Sequence, residues 1–292
     1  MPVRQPFVAG RFYPADPHDC LAELNDCWPE STDAAPLDGA VVGGIGPHAG
    51  WVCSGAVMAK VADAIARQRR SAVAIWFGAV HVHTGPEAAL YARGRWQTPL
   101  GQIEIDEPLA RAVLDAVGGI GDEPGPHQFE HSIEVQVPFL QARLEALRIV
   151  PIMVPPTPDA ARLGAAVGQV CRERAADAIV LGSSDLTHYG PNYDFSPHGV
   201  GEAALAWARD VNDRQMIDRM LSLDAEAIVP EAARHLNACG AGAVAATIAA
   251  CRALGATRAQ LLEHTTSHEV LAQRLREPAT DAVGYAGIVF LK

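Results

Sequence analysis

The 292-residue chain lacks the features that would place it in a membrane or on a nucleic acid. No segment approaches the ~20 consecutive apolar residues of a membrane span, and the first residues lack the apolar region of a signal peptide. The formal net charge is −11, and no basic stripe interrupts this acidity. Because an acidic surface repels phosphates, we expect neither nucleic acid nor an anionic membrane as a partner.

Short motifs of several site classes are also missing. The six cysteines are scattered and form no C-x-x-C pair, which argues against a zinc ribbon and a thioredoxin-like site. We expect them to be mostly buried, reduced thiols of a cytoplasmic protein. No G-x-S-x-G elbow is present. The glycines around Gly44 do not form a dinucleotide-binding loop, because Pro47 and His48 separate them from the next helix.

What the chain does contain is an alternation of short apolar runs and longer helical patterns. Apolar residues make up 49% and charged residues 20%, an ordinary globular composition. Buried strands separated by helices predict an α/β fold with a mixed, largely parallel sheet flanked by helices. No Gly/Ser linker interrupts it, so we expect a single domain over 1–292, with 1–39 as an N-terminal arm packed on the core. The main predicted strands are 41–46, 72–80, 148–154 and 178–185, and the main predicted helices are 54–70, 107–117, 132–147, 158–175 and 239–255.

Three predicted strands end next to histidine or acidic side chains. His48 follows the first strand, His81 the second, and Asp185 and His188 the third. Ligands of open α/β sheets gather beyond the carboxyl ends of the strands, so these side chains are expected to meet at one edge. Neutral imidazole suits iron, copper and zinc. The alternative for any one histidine is a hydrogen-bonded buried side chain, and His83 competes with His81 for the same role.

Two further segments carry candidate site residues. Cys239 opens a predicted helix, where unpaired N–H groups and the helix dipole favour a thiolate and lower the cysteine pKa. Such a thiolate is a candidate metal ligand, nucleophile or redox group, and the alternative is a small buried residue. Glu130 and Glu134 begin another predicted helix and share a face at i, i+4. They are either a solvated helix start or, together with His131, the lining of a pocket.

Taken in order, these motifs resemble the Memo family, which includes bacterial Memo-like proteins often labelled AmmeMemoRadiSam system protein B. The family is similar in fold to the class III extradiol ring-cleaving dioxygenases, which are non-heme iron(II) enzymes. The resemblance therefore implies a class III extradiol dioxygenase-like α/β fold. It covers nearly the whole chain through AGRFYP (9–14), GPHAGW (46–51), GAVH (78–81), TPLG (98–101), EHSIE (130–134), SSDLTH (183–188) and NACG (237–240).

The resemblance also implies roles for individual residues. His48 and His81 match the two histidine metal ligands, and Cys239 matches the third ligand of Memo proteins, where the dioxygenases have a glutamate. This soft thiolate raises the affinity for copper and zinc and alters the redox chemistry at iron. The sequence departs from the family at Val80, where a polar residue usually precedes the second histidine. The other implied site residues are His188 as the acid–base group, Asp185 beside it, and His131, Trp51 and Glu130 as substrate-binding groups.

Three functions follow from these residues, in decreasing order of preference. The first is a mononuclear oxidoreductase, with iron(II) as the expected metal and copper or zinc as alternatives, that takes dioxygen and a small aromatic or other chelating substrate. The second is a non-catalytic protein whose pocket recognises a peptide or small molecule. The third is a zinc hydrolase. The family label also suggests a radical enzyme as a partner.

Overall fold

The structure is a computed structural model that describes residues 2–29, 37–82, 85, 87–174, 177–272 and 280–292. His83, the sequence-based competitor of His81, lies outside the described residues. The strands of the described part are β1 (Val3–Arg4), β2 (Val41–Gly46), β3 (Ser71–Gly78), β4 (Ala88–Leu90), β5 (Arg95–Thr98), β6 (Gly101–Ile105), β7 (Ile120–Asp122), β8 (Ala146–Met153), β9 (Ala178–Ser183), β10 (His188–Tyr189), β11 (Arg258–Thr266) and β12 (Ala282–Leu291).

Helices connect and cover these strands. A 3-10 turn at Pro191–Tyr193 and a π-helical segment at Ala208–Asp213 interrupt the regular pattern, and the π segment joins two helices end to end. The α-helices are α1 (Pro17–Cys27), α2 (Trp51–Ala66), α3 (Glu107–Ala116), α4 (Pro124–His127), α5 (Val137–Arg143), α6 (Ala160–Arg174), α7 (Glu202–Trp207), α8 (Arg214–Leu221), α9 (Ala225–His235), α10 (Ala241–Ala253) and α11 (Ser267–Ala272).

The described strands form one mixed, mostly parallel sheet of 12 strands. Its main path runs β1-β5-β6-β8-β3-β9-β2-β12-β10, while β11 pairs with β12, and β4 pairs with β7 and β8. The strands β6, β8, β3, β9 and β2 are consecutive and parallel, whereas β12 runs antiparallel to β2. The predicted single α/β domain with a largely parallel sheet is therefore confirmed. The likeness to class III dioxygenases stays a prediction.

Burial explains why the central strands read as continuous apolar runs. Every residue of β2, β9 and β12 is buried, as expected for strands covered by helices on both faces. On one face α6 and α10 pack closely, because both present small residues. A Cβ placed on Gly164 would lie 2.1 Å from the carbonyl oxygen of Ala246, so the two helix backbones are in contact at this point.

The predicted helix boundaries differ from the structure in one place that matters for the site. A helix was expected over 132–147, but α5 begins only at Val137, and Pro138 lies in its first turn instead of kinking it. The preceding residues form turns, because the Glu130 carboxylate accepts the backbone N–H groups of His131 and Ser132. A carboxylate bonded in this way competes with the first turn of a helix.

The N-terminal residues are anchored to this same turn segment. Arg4 is fully buried and forms an ion pair with Glu134, with 2.7 Å between the guanidinium nitrogen and the carboxylate oxygen. The Glu134 carboxylate also accepts the Tyr13 hydroxyl and the backbone N–H groups of Phe7 and Val8. Each charge is thus compensated by a partner and by hydrogen bonds, as burial requires. The bounds of the N-terminal arm, 1–39, stay a prediction, and 30–36 lie outside the described residues.

All six cysteines are free thiols. Cys20, Cys171 and Cys251 are buried, and burial raises the pKa of both Cys20 and Cys171 to about 12. Such thiols stay protonated and behave as small apolar side chains. Within the described ranges, none of the helices has both the length and the apolar character needed to cross a membrane.

Candidate metal centre

Two of the predicted ligands lie beyond the carboxyl ends of β2 and β3, two parallel strands on either side of β9. His48 lies two residues beyond β2 and His81 three residues beyond β3, and β9 pairs with both strands. Because the three strands are parallel, their ends meet at one edge of the sheet. The ring centroids of His48 and His81 are 5.1 Å apart. The expected meeting of these two imidazoles is confirmed.

A third imidazole joins them. The ring of His131 lies 5.4 Å from that of His48 and 4.6 Å from that of His81, on which it stacks. One ring nitrogen from each of the three histidines lies within 4.8 Å of the others. Nitrogen ligands of one shared ion are each ~2.0–2.1 Å from it and therefore at most about 4.2 Å apart. The three nitrogens exceed this limit by no more than about 0.6 Å, so the group could hold a metal ion.

Cys239 lies beside this group. Its Sγ is 3.3 Å from Nε2 of His48 and accepts the backbone N–H of Asp185 at the same distance. The backbone N–H of Cys239 in turn donates to the carbonyl oxygen of Asp185 at 3.2 Å. These reciprocal contacts fix the thiol at the edge of the imidazole cluster. Its role as a metal ligand stays a prediction.

The pKa of the Cys239 thiol is shifted in the direction opposite to the one predicted from the sequence. Burial, followed by the nearby Asp185 carboxyl, raises the pKa of this thiol, whereas the sequence predicted a lowered pKa. The helix does not overcome this, because α10 begins at Ala241 and Gly240 is its N-cap. Cys239 therefore precedes the first turn. A bound metal ion acts in the opposite direction, since a coordinating thiol is deprotonated outright.

The tautomer of His48 is set by its neighbours. The hydroxyl of Ser183 donates to the carbonyl oxygen of Ser132 at 2.7 Å, so its oxygen is left to accept from Nδ1 of His48, 2.8 Å away. Nδ1 therefore carries the proton and Nε2 keeps a lone pair on the side of Cys239. Burial lowers the pKa of His48 well below its ordinary value, so the ring is neutral, which is the form that binds metals.

His81 is oriented by a carboxylate. One oxygen of Glu130 lies 3.0 Å from Nδ1 of His81, and the other accepts its backbone N–H at 2.7 Å. Burial raises the pKa of the Glu130 carboxyl, but hydrogen bonds from His81 outweigh it and hold that pKa well below its usual range. For His81, burial lowers the pKa, but the hydrogen bond and the negative charge of Glu130 raise it by more, so its pKa lies above the ordinary value. The carboxylate directs Nδ1–H to itself and leaves Nε2 for a ligand.

Comparisons with known proteins assign the chain to a family. The sequence profile of the Memo-like proteins matches residues 4–289. The chain belongs to the Memo family. It is similar to a MEMO1 family protein of Caldivirga maquilingensis, with 35% identity over 301 aligned residues and complete coverage of both chains. MEMO1 family proteins of Thermococcus kodakarensis and Methanothermobacter thermautotrophicus are each 36% identical, with at least 97% of both chains covered.

Asp185 and His188 lie on the loop that follows β9, at the candidate metal site of this Memo protein. The buried Asp185 carboxylate accepts the backbone N–H of His48 at 2.7 Å, and burial raises its pKa. His188 is half-buried, and its Nδ1 lies 3.2 Å from the carbonyl oxygen of Leu186. The rings of His188 and Tyr193 pack in a T-shaped arrangement, with 5.2 Å between the centroids. Their catalytic roles stay predictions.

Trp51, one of the predicted substrate-binding groups of this Memo protein, is buried. It begins α2, and its ring packs between Tyr13 and Phe139, each with a centroid 4.9 Å away. Its indole N–H donates to the carbonyl oxygen of Val135. Substrate binding by Trp51 stays a prediction. The same holds for Glu130 and His131. Outside the histidine cluster, the Glu130 carbonyl oxygen accepts from the Arg4 guanidinium, and the His131 ring packs against Phe12 with 5.1 Å between the centroids.

Sequence reasoning missed the supporting role of Gln136. Its side-chain amide donates to the carbonyl oxygens of Gly46 and Pro47, at 2.6 and 3.0 Å, immediately before His48. Its carbonyl oxygen accepts the indole N–H of Trp76, a fully buried residue of β3. Gln136 thereby ties the ends of β2 and β3 together. The one sequence signal was a polar residue inside the apolar stretch VQVPFL (135–140).

Proposed function

We propose that this Memo protein is a mononuclear, non-heme metal-dependent oxidoreductase of dioxygenase-like type that acts on a small aromatic or other chelating substrate. The observation that carries the proposal is the histidine cluster, whose three ring nitrogens lie within 4.8 Å of one another at the sheet edge. In open α/β sheets, substrates usually bind beyond the carboxyl ends of the strands, which is where this cluster lies.

The donor set fits a transition metal. Imidazole nitrogens suit iron, copper and zinc, and the adjacent Cys239 sulfur adds affinity for the softer of these ions. We expect iron(II), with copper or zinc as alternatives. His48 and His81 would hold the ion in either ligand set, with His131 or Cys239 as the third ligand. When bound, the metal supplies redox chemistry and positions for dioxygen and substrate.

The protein side of the reaction rests on proton placement. The contact between Nδ1 of His188 and the Leu186 carbonyl directs that N–H to the backbone and leaves Nε2 to accept a proton from a substrate hydroxyl. Packing of Tyr193 on the His188 ring limits its rotation. Asp185 keeps the backbone of His48 in place. His188 thus accepts and returns a proton, and Asp185 orients the backbone of His48. Neither residue changes its redox state.

The test joins metal content to dioxygen consumption. Protein purified anaerobically and loaded with iron(II) is expected to hold one ion per chain and to consume dioxygen with catechols or aminophenols. His48→Ala and His81→Ala are expected to lose both properties. His18→Ala, which removes a histidine whose side chain is 92% exposed, is the matched control and keeps both. Iron binding without dioxygen uptake across a broad substrate panel would contradict the oxidoreductase.

One observation favours a zinc hydrolase as an alternative. Three histidines with an open fourth position form a known catalytic zinc arrangement, in which the ion activates water. Metal analysis of protein taken directly from cells separates the two functions. Zinc at one ion per chain, with no activity after iron exchange, supports the hydrolase.

A second alternative is a non-catalytic recognition protein. Phe129, adjacent to Glu130, is 62% exposed, and its ring packs edge-on against the part-exposed Phe7 with centroids 5.8 Å apart. An exposed aromatic pair next to the cluster suits recognition of an apolar peptide or small molecule. Ligand binding that is equal in wild type and His48→Ala supports this function, since the metal would then be incidental.

A further inference from the structure

The π-helical segment Ala208–Asp213 ends with two buried polar side chains. Asn212 and Asp213 are each 1% exposed. A π turn is rare, and such segments occur frequently at functional sites because they alter which side chains face a given neighbour. Here the segment presents both residues to the loops that carry candidate site residues.

The first contact is with the loop that carries Asp185 and His188. The Nδ2 group of Asn212 donates to the hydroxyl oxygen of Thr187 at 3.1 Å. The Asp213 carboxylate accepts the backbone N–H of Thr187 at 2.9 Å. Thr187 is 1% exposed and immediately precedes His188. Both the backbone and the side chain of this loop are therefore bonded to the π segment.

The second contact is with the loop that carries Cys239. Nδ2 of Asn212 also donates to the carbonyl oxygen of His235 at 3.0 Å. The carbonyl oxygen of Asn212 accepts from Nδ2 of Asn237 at 2.9 Å. Asn237 is fully buried and lies two residues before Cys239. One residue, Asn212, is thus bonded to both loops.

The backbone of the second loop is strained between these two bonds. Leu236 has a φ of 52° and lies in the left-handed region, which non-glycine residues rarely adopt. It is also 57% exposed, so burial of its own side chain does little to hold it there. Conformations of this kind persist only where surrounding contacts over-determine them. Leu236 is the C-cap of α9, and its N–H donates to the carbonyl oxygen of Ala232. The bond from Asn212 to His235 and the bond from Asn237 to Asn212 flank Leu236 on both sides and add to this restraint.

Resting on the metal centre proposed above, we propose that Asn212 is a positioning residue that holds the Cys239 loop against the loop carrying Asp185 and His188. It acts through Thr187, His235 and Asn237. Where the two loops meet, the N–H of Asp185 donates to the Cys239 sulfur at 3.3 Å, and the N–H of Gly240 donates to Ser184 Oγ at 3.0 Å. Loss of the Asn212 bonds releases the Cys239 loop, and the sulfur moves away from the imidazoles.

The test uses Asn212→Asp, which keeps the size of the side chain but cannot donate to Thr187 and His235. The backbone carbonyl that accepts from Asn237 is unchanged. The matched control is Asp106→Asn, which also exchanges a carboxylate and an amide at a buried position. Asp106 caps α3 through the N–H of Leu109 and contacts neither loop by any described hydrogen bond.

The first readout is spectroscopic. Cobalt(II)-loaded wild-type protein is expected to show a sulfur-to-metal charge-transfer absorption from Cys239. Asn212→Asp is expected to retain cobalt through the histidines but to lose most of this absorption, whereas Asp106→Asn keeps it. An Asn212→Asp protein with the wild-type absorption overturns the proposal.

The second readout needs no metal. Alkylation of Cys239 by iodoacetamide, followed on its own peptide by mass spectrometry, is expected to be about tenfold faster in Asn212→Asp than in wild type, because the loop opens more often once its bonds are lost. An unchanged rate overturns the proposal. If wild-type protein shows no sulfur absorption with cobalt, ligation by Cys239 fails, and this rate still decides the role of Asn212.

A second variant covers the case in which Asn212→Asp does not fold. Thr187→Val removes the hydroxyl that Asn212 contacts and preserves the shape of the side chain. It is expected to shift both readouts in the same direction by a smaller factor. If Asn212→Asp does not fold and Thr187→Val shows the wild-type absorption and the wild-type alkylation rate, the proposal is overturned.

Discussion

The Glu130 carboxylate accepts two hydrogen bonds from His81: one oxygen lies 3.0 Å from Nδ1, and the other accepts the backbone N–H at 2.7 Å. This bidentate contact sets both the direction of the ring and the nitrogen that remains for a ligand. A carboxylate behind a ligating histidine also makes the imidazole a stronger base. Glu130 is therefore the residue whose loss is expected to weaken the metal centre without removing a ligand.

We expect Glu130→Gln to lower the metal affinity by about 10- to 100-fold, the range found when such supporting groups are removed. Competition with a chromophoric chelator measures this affinity. Glu145→Gln, which changes a 71% exposed carboxylate paired with Arg70, is the control and is expected to match wild type. Equal affinities for wild type and Glu130→Gln would contradict the orienting role.

Cys239→Ser tests the predicted sulfur ligand. The variant is expected to bind cobalt(II) at least tenfold more weakly and to show no sulfur-to-metal absorption, since a hydroxyl is a harder and weaker donor than a thiolate. Absorption spectra recorded during cobalt titration give both quantities. Cys27→Ser, at a thiol on α1, is the control and keeps the wild-type spectrum. An unaltered spectrum in Cys239→Ser would assign the third ligand to His131.

The buried ion pair between Arg4 and Glu134 is expected to dominate the stability of the N-terminal contacts. Glu134→Ala leaves a fully buried guanidinium without its charge partner, which typically costs about 3–5 kcal/mol. Denaturant unfolding measures the loss. Glu104→Ala, which removes a 61% exposed partner of Arg95, is expected to cost less than about 1 kcal/mol. A similar loss in both variants would refute this account.

The buried His127 is expected to lower the free energy of unfolding in acid. Burial lowers its pKa to about 4, and its Nε2–H donates to the Ala89 carbonyl oxygen. The unfolded chain takes up this proton near pH 6.5, so His127 does not affect stability above that pH and destabilises the fold progressively as the pH falls towards 4. The cost reaches up to about 3 kcal/mol from this residue alone.

His127→Gln isolates this contribution, because the amide can still donate to Ala89 but does not titrate. Its free energy of unfolding is expected to fall less steeply than that of wild type between pH 6.5 and 4. Urea unfolding at several pH values measures both slopes. Parallel pH profiles for the two proteins would mean that His127 is not responsible.

The positions of His48 and His81 could be predicted because they depend on a simple rule. Parallel strands place their carboxyl ends at one edge, and both residues follow strands that the apolar pattern identifies. Motifs that resemble those of the Memo family gave the same two residues. The family itself is confirmed by the match over residues 4–289.

The role of His131 in the cluster could not be predicted in this way. The spacing of Glu130 and Glu134 favoured a helix, whereas the structure has turns whose N–H groups bond to the Glu130 carboxylate. A side chain that competes for backbone donors overrides helix periodicity, and only the tertiary contacts with His81 select that outcome. The predicted lowering of the Cys239 pKa was wrong for a similar reason. Burial by segments distant in the sequence raises this pKa and outweighs the position of Cys239 near a helix start.

The pairing of β2 with β9 has a consequence for the order in which the chain folds and takes up the proposed metal ion. Gly46 is the register partner of Ser183, so the hydroxyl that fixes the tautomer of His48 reaches it only when these strands are aligned correctly. A chain that is still folding therefore presents a freely rotating imidazole of undefined tautomer. Metal capture is then expected to follow sheet assembly, and loading should succeed on refolded apoprotein and need no ion during refolding.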